Sequence, residues 1–306
     1  MNTVAIEQAR TVVPVRRERR SAIFVNVFFI LLSTAMIVPL LLVVSVSLTS
    51  EASLTAQGYH LIPQAVSLEA YRVILQHPGQ IARAYGVTIC VTVLGTLLAL
   101  AITTALAYAI ARRDYRYRRI TTLYVFFTML FNGGLVPFYI LVTQYLHLKD
   151  TIWALIVPAM LTPFNVLVMK GFLDKLPPEI YDSAHIDGAG EWRIYTRIVL
   201  PLATPALATL SLFIAFAYWN DWWLGLLFID NPKLVPLQLL LYRIMSSIDF
   251  MLNNIGKVNV AIDISRFPDL SARMAMAVLA AGPMMFIFPL FQRYFVAGLT
   301  VGSVKS

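Results

Sequence analysis

Six apolar runs, separated by polar segments, organise the chain: residues 21–48, 84–111, 120–146, 152–169, 202–228 and 274–296. Crossing ~30 Å of hydrocarbon takes roughly 20 helical residues, and each run approaches or exceeds that length. Lipid offers no partners to backbone N–H and C=O groups, so each run is predicted to be a helix. Charges within the runs are nearly absent, Asp221 and Arg293 being the exceptions. The predicted fold is all-α: a polytopic membrane protein with six transmembrane helices. Residues 21–297 then form one membrane domain, with tails at 1–20 and 298–306. The first run is too long for a secretory signal and lacks a small-residue cleavage site, so it is expected to stay as an anchor. After it, Ser67 precedes apolar residues at 68, 71, 74 and 75. That spacing predicts an amphipathic helix lying on the outer membrane face. The stretch 229–273 is of mixed character and suits an external partner.

Composition agrees with this class. Of 306 residues, 59% are hydrophobic and 13% charged, and the mean hydropathy is +0.73. A soluble domain is about one quarter charged. The net charge of +8 does not point to nucleic acid, because the arginines cluster beside apolar runs. Arg10, Arg16, Arg17, Arg19 and Arg20 precede the first run, and Arg112, Arg113, Arg116, Arg118 and Arg119 join the second to the third. The positive-inside rule puts both segments in the cytoplasm. Six spans then also place 170–201 and both termini inside, and 49–83, 147–151 and 229–273 outside. The lone Cys90 sits in an apolar run, which excludes a disulfide framework and a cysteine metal site.

No nucleotide-binding loop is present; the one Gly-Lys pair, Gly256-Lys257, is followed by Val258. His60, His77, His147 and His185 are scattered, so no metal site is expected. No acids, bases and nucleophiles cluster together, so no catalytic residue is assigned and the chain is expected not to be an enzyme. Polar residues inside spans are costly in lipid and carry hypotheses of their own. Tyr218, Trp219, Asn220, Asp221, Trp222 and Trp223 read either as a sugar path or as an interfacial aromatic belt. In the first reading the rings stack on pyranoses while Asn220 and Asp221 meet hydroxyls. Asn132-Gly133-Gly134, followed by Pro137, reads as a broken helix lining a cavity or as a close helix crossing. Asn26 and Asn165 read as interhelical hydrogen bonders.

Between the fourth and fifth runs, Pro177-Pro178 opens a segment that reads Asp182-Ser183-Ala184, then Gly188 after three residues including Asp187, then Ile198, Leu200 and Pro201. This resembles the coupling segment of ABC-importer permeases, Glu-Ala-Ala-x3-Gly-x9-Ile-x-Leu-Pro, with Asp182 and Ser183 where Glu and Ala are usual. The resemblance extends along the chain. Residues 107–112, Lys170-Gly171-Phe172, Trp219-Asn220-Asp221-Trp222 and Pro236-Leu237-Gln238 are similar to stretches of carbohydrate-importer permeases. Residues 295–306 resemble the end of the smaller permease of maltose-type importers. Residues 131–137 resemble the branch that imports oligosaccharides of plant or algal polysaccharides, uronates included.

The resemblance implies a cytoplasmic coupling helix between helices four and five, within 177–201. It implies a second homologous permease forming a heterodimer, two cytoplasmic ABC ATPases that carry ATP with magnesium, and an extracellular or periplasmic solute-binding protein. The chain itself would bind no cofactor and no nucleic acid. It would lie in the lipid of the bacterial plasma (inner) membrane and pass a sugar or oligosaccharide. Asp182 would meet the ATPase while Gly188 permits the turn. The tail residues Gly298, Gly302 and Lys305 would reach the interface of the two ATPases. The alternative is an ion-coupled secondary transporter of a polar solute, for which Asp221 is the one candidate coupling residue.

Overall fold

The computed structural model describes residues 16–254 and 269–300. Among them the ordered elements are helices, apart from one isolated antiparallel bridge between Thr49 and Val66. In chain order, α1 (Arg16–Ser47), α2 (Glu51–Gln57) and α3 (Glu69–Ile74) precede α4 (Pro78–Ala111). Next come α5 (Arg118–Leu130) and α6 (Leu135–Ile140), the latter continued by a π-helical turn to Tyr145. Then follow α7 (Trp153–Ile156), a 3-10 turn and α8 (Pro163–Leu173). The fourth interval holds α9 (Glu179–Ile186), α10 (Glu191–Ile194), a π-helical turn Tyr195–Val199 and α11 (Leu200–Leu202). Beyond it lie α12 (Thr204–Trp219), α13 (Trp223–Phe228), α14 (Leu237–Asn254) and α15 (Asp269–Thr300).

Three straight stretches are long and apolar enough to cross a bilayer: Ala22–Ser47, Pro78–Ala111 and Asp269–Ile287. Three further crossings are possible if each of three bent pairs counts as one span. The fourth and fifth runs, expected simply as helices, are therefore broken, as is the third, where Asn132-Gly133-Gly134 reads as a break or a close crossing, and the breaks have local causes. Arg118–Leu130 and Leu135–Tyr145 meet at 112°. There Gly134 takes φ 88° and its N–H donates to Asn132 Oδ1 at 2.9 Å. A Cβ at Gly133 or Gly134 would meet nothing within 4 Å. The glycines thus serve the break and not a close crossing within this chain. The 50° bend before α8 falls at Thr162, held extended by the proline that follows it. The 80° bend before α12 falls at Ala203, which is fully buried.

The chain divides into two compact units, one running up to Tyr71 and including the stretch that ends at Ala275, the other running from Arg72 and including the residues after Met276. In the first, Ser45 Oγ donates to the His60 carbonyl at 2.7 Å, and Ser47 Oγ lies 2.9 Å from the Tyr71 hydroxyl. The Glu51 carboxylate accepts from Leu270 N, Ser271 N and Ser271 Oγ at 2.8–3.1 Å, so it caps the start of α15. The predicted helix near Ser67 is present as α3, with Ser67 Oγ accepting from Glu69 N. Its buried apolar residues are Ala70 and Ile74, whereas Leu68 and Leu75 are exposed.

In the second unit, α4 is the central helix and packs along both α12 and α8. The approach to α12 is close at Gly95, where a Cβ would stand 2.6 Å from the Tyr218 ring. Only glycine leaves room for that ring. The stretch expected to be of mixed character contains α14, which buries Leu237, Leu239, Leu240, Leu241 and Ile248. Leu237 N donates to Thr88 Oγ1 of α4 at 2.8 Å. The apolar spacing of α14 was readable and was overlooked because the stretch is too polar to span.

Candidate functional site

Residues 179–202 form a helix, a turn and a second helix fastened by one face. The first helix ends in a two-bond turn: Gly188 N donates to His185 O at 3.0 Å and Ala189 N to Ala184 O at 2.9 Å. Gly188 adopts φ 75°, which side-chain-bearing residues resist. The anchoring face is apolar. Ala184, Ile194, Tyr195 and Val199 are buried in one cluster with Ala107, Tyr108 and Ile110 of α4, Met169 and Leu173 of α8, and Leu210 of α12. Ile198 and Leu200 pack against that cluster. Tyr195 reaches deepest, its hydroxyl 2.7 Å from Thr104 Oγ1 in a buried bond.

The opposite face is free. Asp182, Ser183, Asp187 and Pro201 are exposed. Two large apolar side chains stand beside them, Ile186 at 86% and Trp192 at 74% exposure. Neither residue was singled out from the sequence, although both fall within the motif's variable positions.

A polar brace links the segment to the end of α4. Glu191 accepts from the Tyr108 hydroxyl and, at 3.0 Å, from Arg112 Nη2. Arg112 also pairs with Asp114 at 3.0 Å and lies 4.7 Å over the Tyr181 ring. Burial pushes the Tyr181 phenol up from its ordinary pKa, so it stays neutral beneath the guanidinium. His185 Nε2 lies 3.0 Å from Arg112 and 3.2 Å from Glu191. It accepts from the first or donates to the second, never both. A second brace joins Arg118 of α5 to Asp174 at 3.0 Å, and Lys170 of α8 reaches the same carboxylate. Between the braces and α9 lies a groove of about 430 Å³, lined in part by Arg113, Asp114 and Asp182. Arginines that sequence analysis assigned to membrane orientation thus also hold the segment in place.

The aromatic run at the far end of α12 is arranged differently. Tyr218 and Trp219 are buried, and their polar atoms are committed: the Tyr218 hydroxyl donates to Ile156 O at 2.9 Å and Trp219 Nε1 to Ala280 O at 2.8 Å. Asp221 Oδ1 accepts from Trp223 N and Leu224 N, which fixes the start of α13. Asn220 is exposed, its Nδ2 bonded to Phe216 O and its Oδ1 3.5 Å from Gln238 Nε2. Trp222 stacks on Tyr242 with centroids 4.6 Å apart. Tyr218 and Trp219 thus bond across to Ile156 of α7 and Ala280 of α15. Asn132 is exposed at the α5–α6 break. Gly298 falls in the last turn of α15, while Gly302 and Lys305 lie outside the described residues.

The family model described as the binding-protein-dependent transport system inner membrane component matches residues 16–301. Protein LplC of Bacillus subtilis (strain 168) is 36% identical over 269 residues, which cover 88% of this chain and 89% of LplC. The polygalacturonan/rhamnogalacturonan transport system permease protein YtcP of the same organism is 34% identical, covering 91% of this chain and 96% of YtcP. Among solved structures, a chain of a bacterial ABC transporter involved in the import of the acidic polysaccharide alginate matches at TM-score 0.75 and 25% identity, covering 93% of this chain and 100% of that one. These matches favour an ATP-driven importer over an ion-coupled secondary transporter. The chain belongs to the inner-membrane components of binding-protein-dependent transport systems, the permease subunits of ABC importers, in which partner subunits and not the permease hydrolyse ATP.

Proposed function

We propose that this chain is one of two homologous permeases that together pass an oligosaccharide, with uronate-containing plant or algal oligosaccharides as the substrate class. The substrate reading rests on the activities of similar proteins, polygalacturonan/rhamnogalacturonan transport in one and alginate import in another. In this reading six helices or bent pairs cross the inner membrane, and the ends of the chain, 112–119 and 179–202 face the cytoplasm. An external solute-binding protein delivers the sugar on the opposite side.

The observation that carries the coupling assignment is the two-faced build of 179–202. Its inner face is buried among α4, α8 and α12, while Ile186, Trp192 and Asp182 stand outward. The outer face docks in a cleft of one ATPase, Ile186 and Trp192 supplying apolar contact and Asp182 a carboxylate for a basic group. When ATP closes the ATPase pair, the segment moves as a body, because its hydrogen-bonded turn and buried core resist local yielding. Ile186→Asp should release the ATPase during purification in mild detergent while the permease still inserts. An unchanged ratio of ATPase to permease would overturn the assignment. On the opposite side, Asn220, Trp223 and Tyr242 are exposed and offer hydroxyl-binding and ring-stacking groups to a sugar. Removing 301–306 should lower sugar-stimulated ATP hydrolysis more than assembly, as the resemblance of the tail to that of maltose-type permeases implies.

A further inference from the structure

Between the first turns of α5 and the facing side of α8 lies an open groove of about 600 Å³. One end is basic, walled by Arg118, Arg119 and Lys170. The other is apolar, lined by Leu123 and Phe126 of α5 and Leu167 of α8. No carboxylate lines it. Asp174, outside the lining, is shared by Arg118 and Lys170, so the groove's three cations have one carboxylate between them. Arg119 is exposed and has no carboxylate partner among the described residues. The backbone adds to the imbalance. Arg118 and Arg119 open α5, whose first turn has no acidic residue and no side-chain cap. A helix begins with a partial positive charge, so two arginines there place like on like unless an anion intervenes.

The occupant must be anionic at one end and apolar along the other. A nucleotide or free phosphate would make no use of the apolar wall formed by Leu123, Phe126 and Leu167. A neutral lipid would leave the excess cations unanswered. We infer that this groove binds one anionic phospholipid, its phosphate held by Arg119 and the amino-terminal turn of α5 and an acyl chain lying along Leu123, Phe126 and Leu167. Basic pockets between helices at a membrane surface are suited to such headgroups. The site adjoins the coupling segment, since Asp174 lies just before α9. The phosphate would share Arg118 and Lys170 with Asp174, and so couple lipid occupancy to the brace.

Binding is tested separately from coupling. The intact importer complex, purified and delipidated, is titrated with dioleoyl-phosphatidylglycerol, dioleoyl-phosphatidylcholine or glycerol 3-phosphate, and adducts are counted by native mass spectrometry. Phosphatidylglycerol should be retained in preference to phosphatidylcholine, and glycerol 3-phosphate should not be retained. Arg119→Gln should weaken phosphatidylglycerol retention about fivefold, the scale of one basic contact at a membrane surface. Arg119→Lys should restore most of it. Leu123→Trp, at a position 66% exposed and so tolerant of size, should displace the acyl chain. Equal retention of the two lipids, or phosphatidylglycerol retention unmoved by both Arg119→Gln and Leu123→Trp, overturns the inference. So does retention of glycerol 3-phosphate as strong as that of the lipid. A photo-crosslinking residue at position 123 that captures the second permease in place of lipid also overturns it.

Discussion

The segment 179–202 and the aromatic run at 218–223 were the two densest signals in the polar pattern, yet they fold with opposite orientation. In the first, the apolar residues turn inward and leave charge, Ile186 and Trp192 outside. In the second, the large aromatics Tyr218 and Trp219 turn inward and bond to carbonyls. One region leaves large apolar side chains exposed and the other, over most of its length, buries them among its own helices. A conspicuous sequence is therefore evidence of constraint, and burial decides whether the constraint is contact or packing.

The largest effect expected from breaking this contrast is at Gly188. Proline cannot adopt φ 75° and lacks the N–H that bonds His185 O, so Gly188→Pro should unmake the turn. Uptake should fall to background while the protein remains in the membrane at normal levels; retained uptake would break the coupling assignment. At the other end, Gly95→Leu drives side-chain carbon into the Tyr218 ring and should destabilise the complex by about 1–3 kcal/mol or more, read as a lowered unfolding midpoint in detergent.

A sharper pair follows. Tyr218→Phe strands the Ile156 carbonyl in a buried site and should cost about 1–2 kcal/mol of stability without changing the sugar concentration for half-maximal uptake. Asn220→Ala should do the reverse, raising that concentration while stability stays within about 0.5 kcal/mol. A shifted sugar dependence in Tyr218→Phe would return that residue to the substrate path.

The apolar runs exposed the helical class and the approximate position of the three long apolar helices and the three bent pairs, because hydrocarbon imposes a length on helices. They did not disclose the breaks at Thr162 and Ala203, whereas the one at Gly134 was signalled by Asn132-Gly133-Gly134. A hydrophobic run looks the same whether straight or bent, and only the glycine and proline signals within it differ. Ala184, Gly188, Ile198 and Leu200 were legible because their spacing matches a known segment. Glu191, Tyr108 and Arg112 were not legible as a brace, since the bonds join residues 79 and 83 positions apart. The inward turn of Tyr218 depends on Gly95, a residue with no side chain to draw notice.

The smallest expected effect lies in the turn after α6. Asp150 Oδ1 accepts from Asn231 N and Asp230 N, which hold its carboxyl below the ordinary aspartate range. Lys149 pairs with Asp230 at 2.8 Å and its ammonium pKa is raised by that contact. The order contributed by Asp150 is present above the ordinary aspartate pKa and is lost as pH falls through the lowered value. That contributed by Lys149 is present below the ordinary lysine pKa and is lost as pH rises through the raised one. Asp150→Asn should speed amide exchange at 230–231 at neutral pH and leave the 179–202 segment unchanged.

Ala203 gives the two compared regions a mechanical relation. Backbone bonds continue on both sides of the 80° bend, from Ala203 N to Val199 O at 2.8 Å and from Leu207 N to Ala203 O at 2.9 Å. The bend is thus an elbow with a fixed angle, and its two arms act as a bell crank. At 1.5 Å per residue the arm Glu191–Leu202 is ~18 Å long and the arm Thr204–Trp219 ~24 Å. A push of ~1 Å at the Glu191 end, with the pivot at Ala203, would swing the Asn220 end by ~1.3 Å. Force applied at the Glu191 end would arrive at the Asn220 end slightly magnified, turned through nearly a right angle, and without any residue between them changing partners.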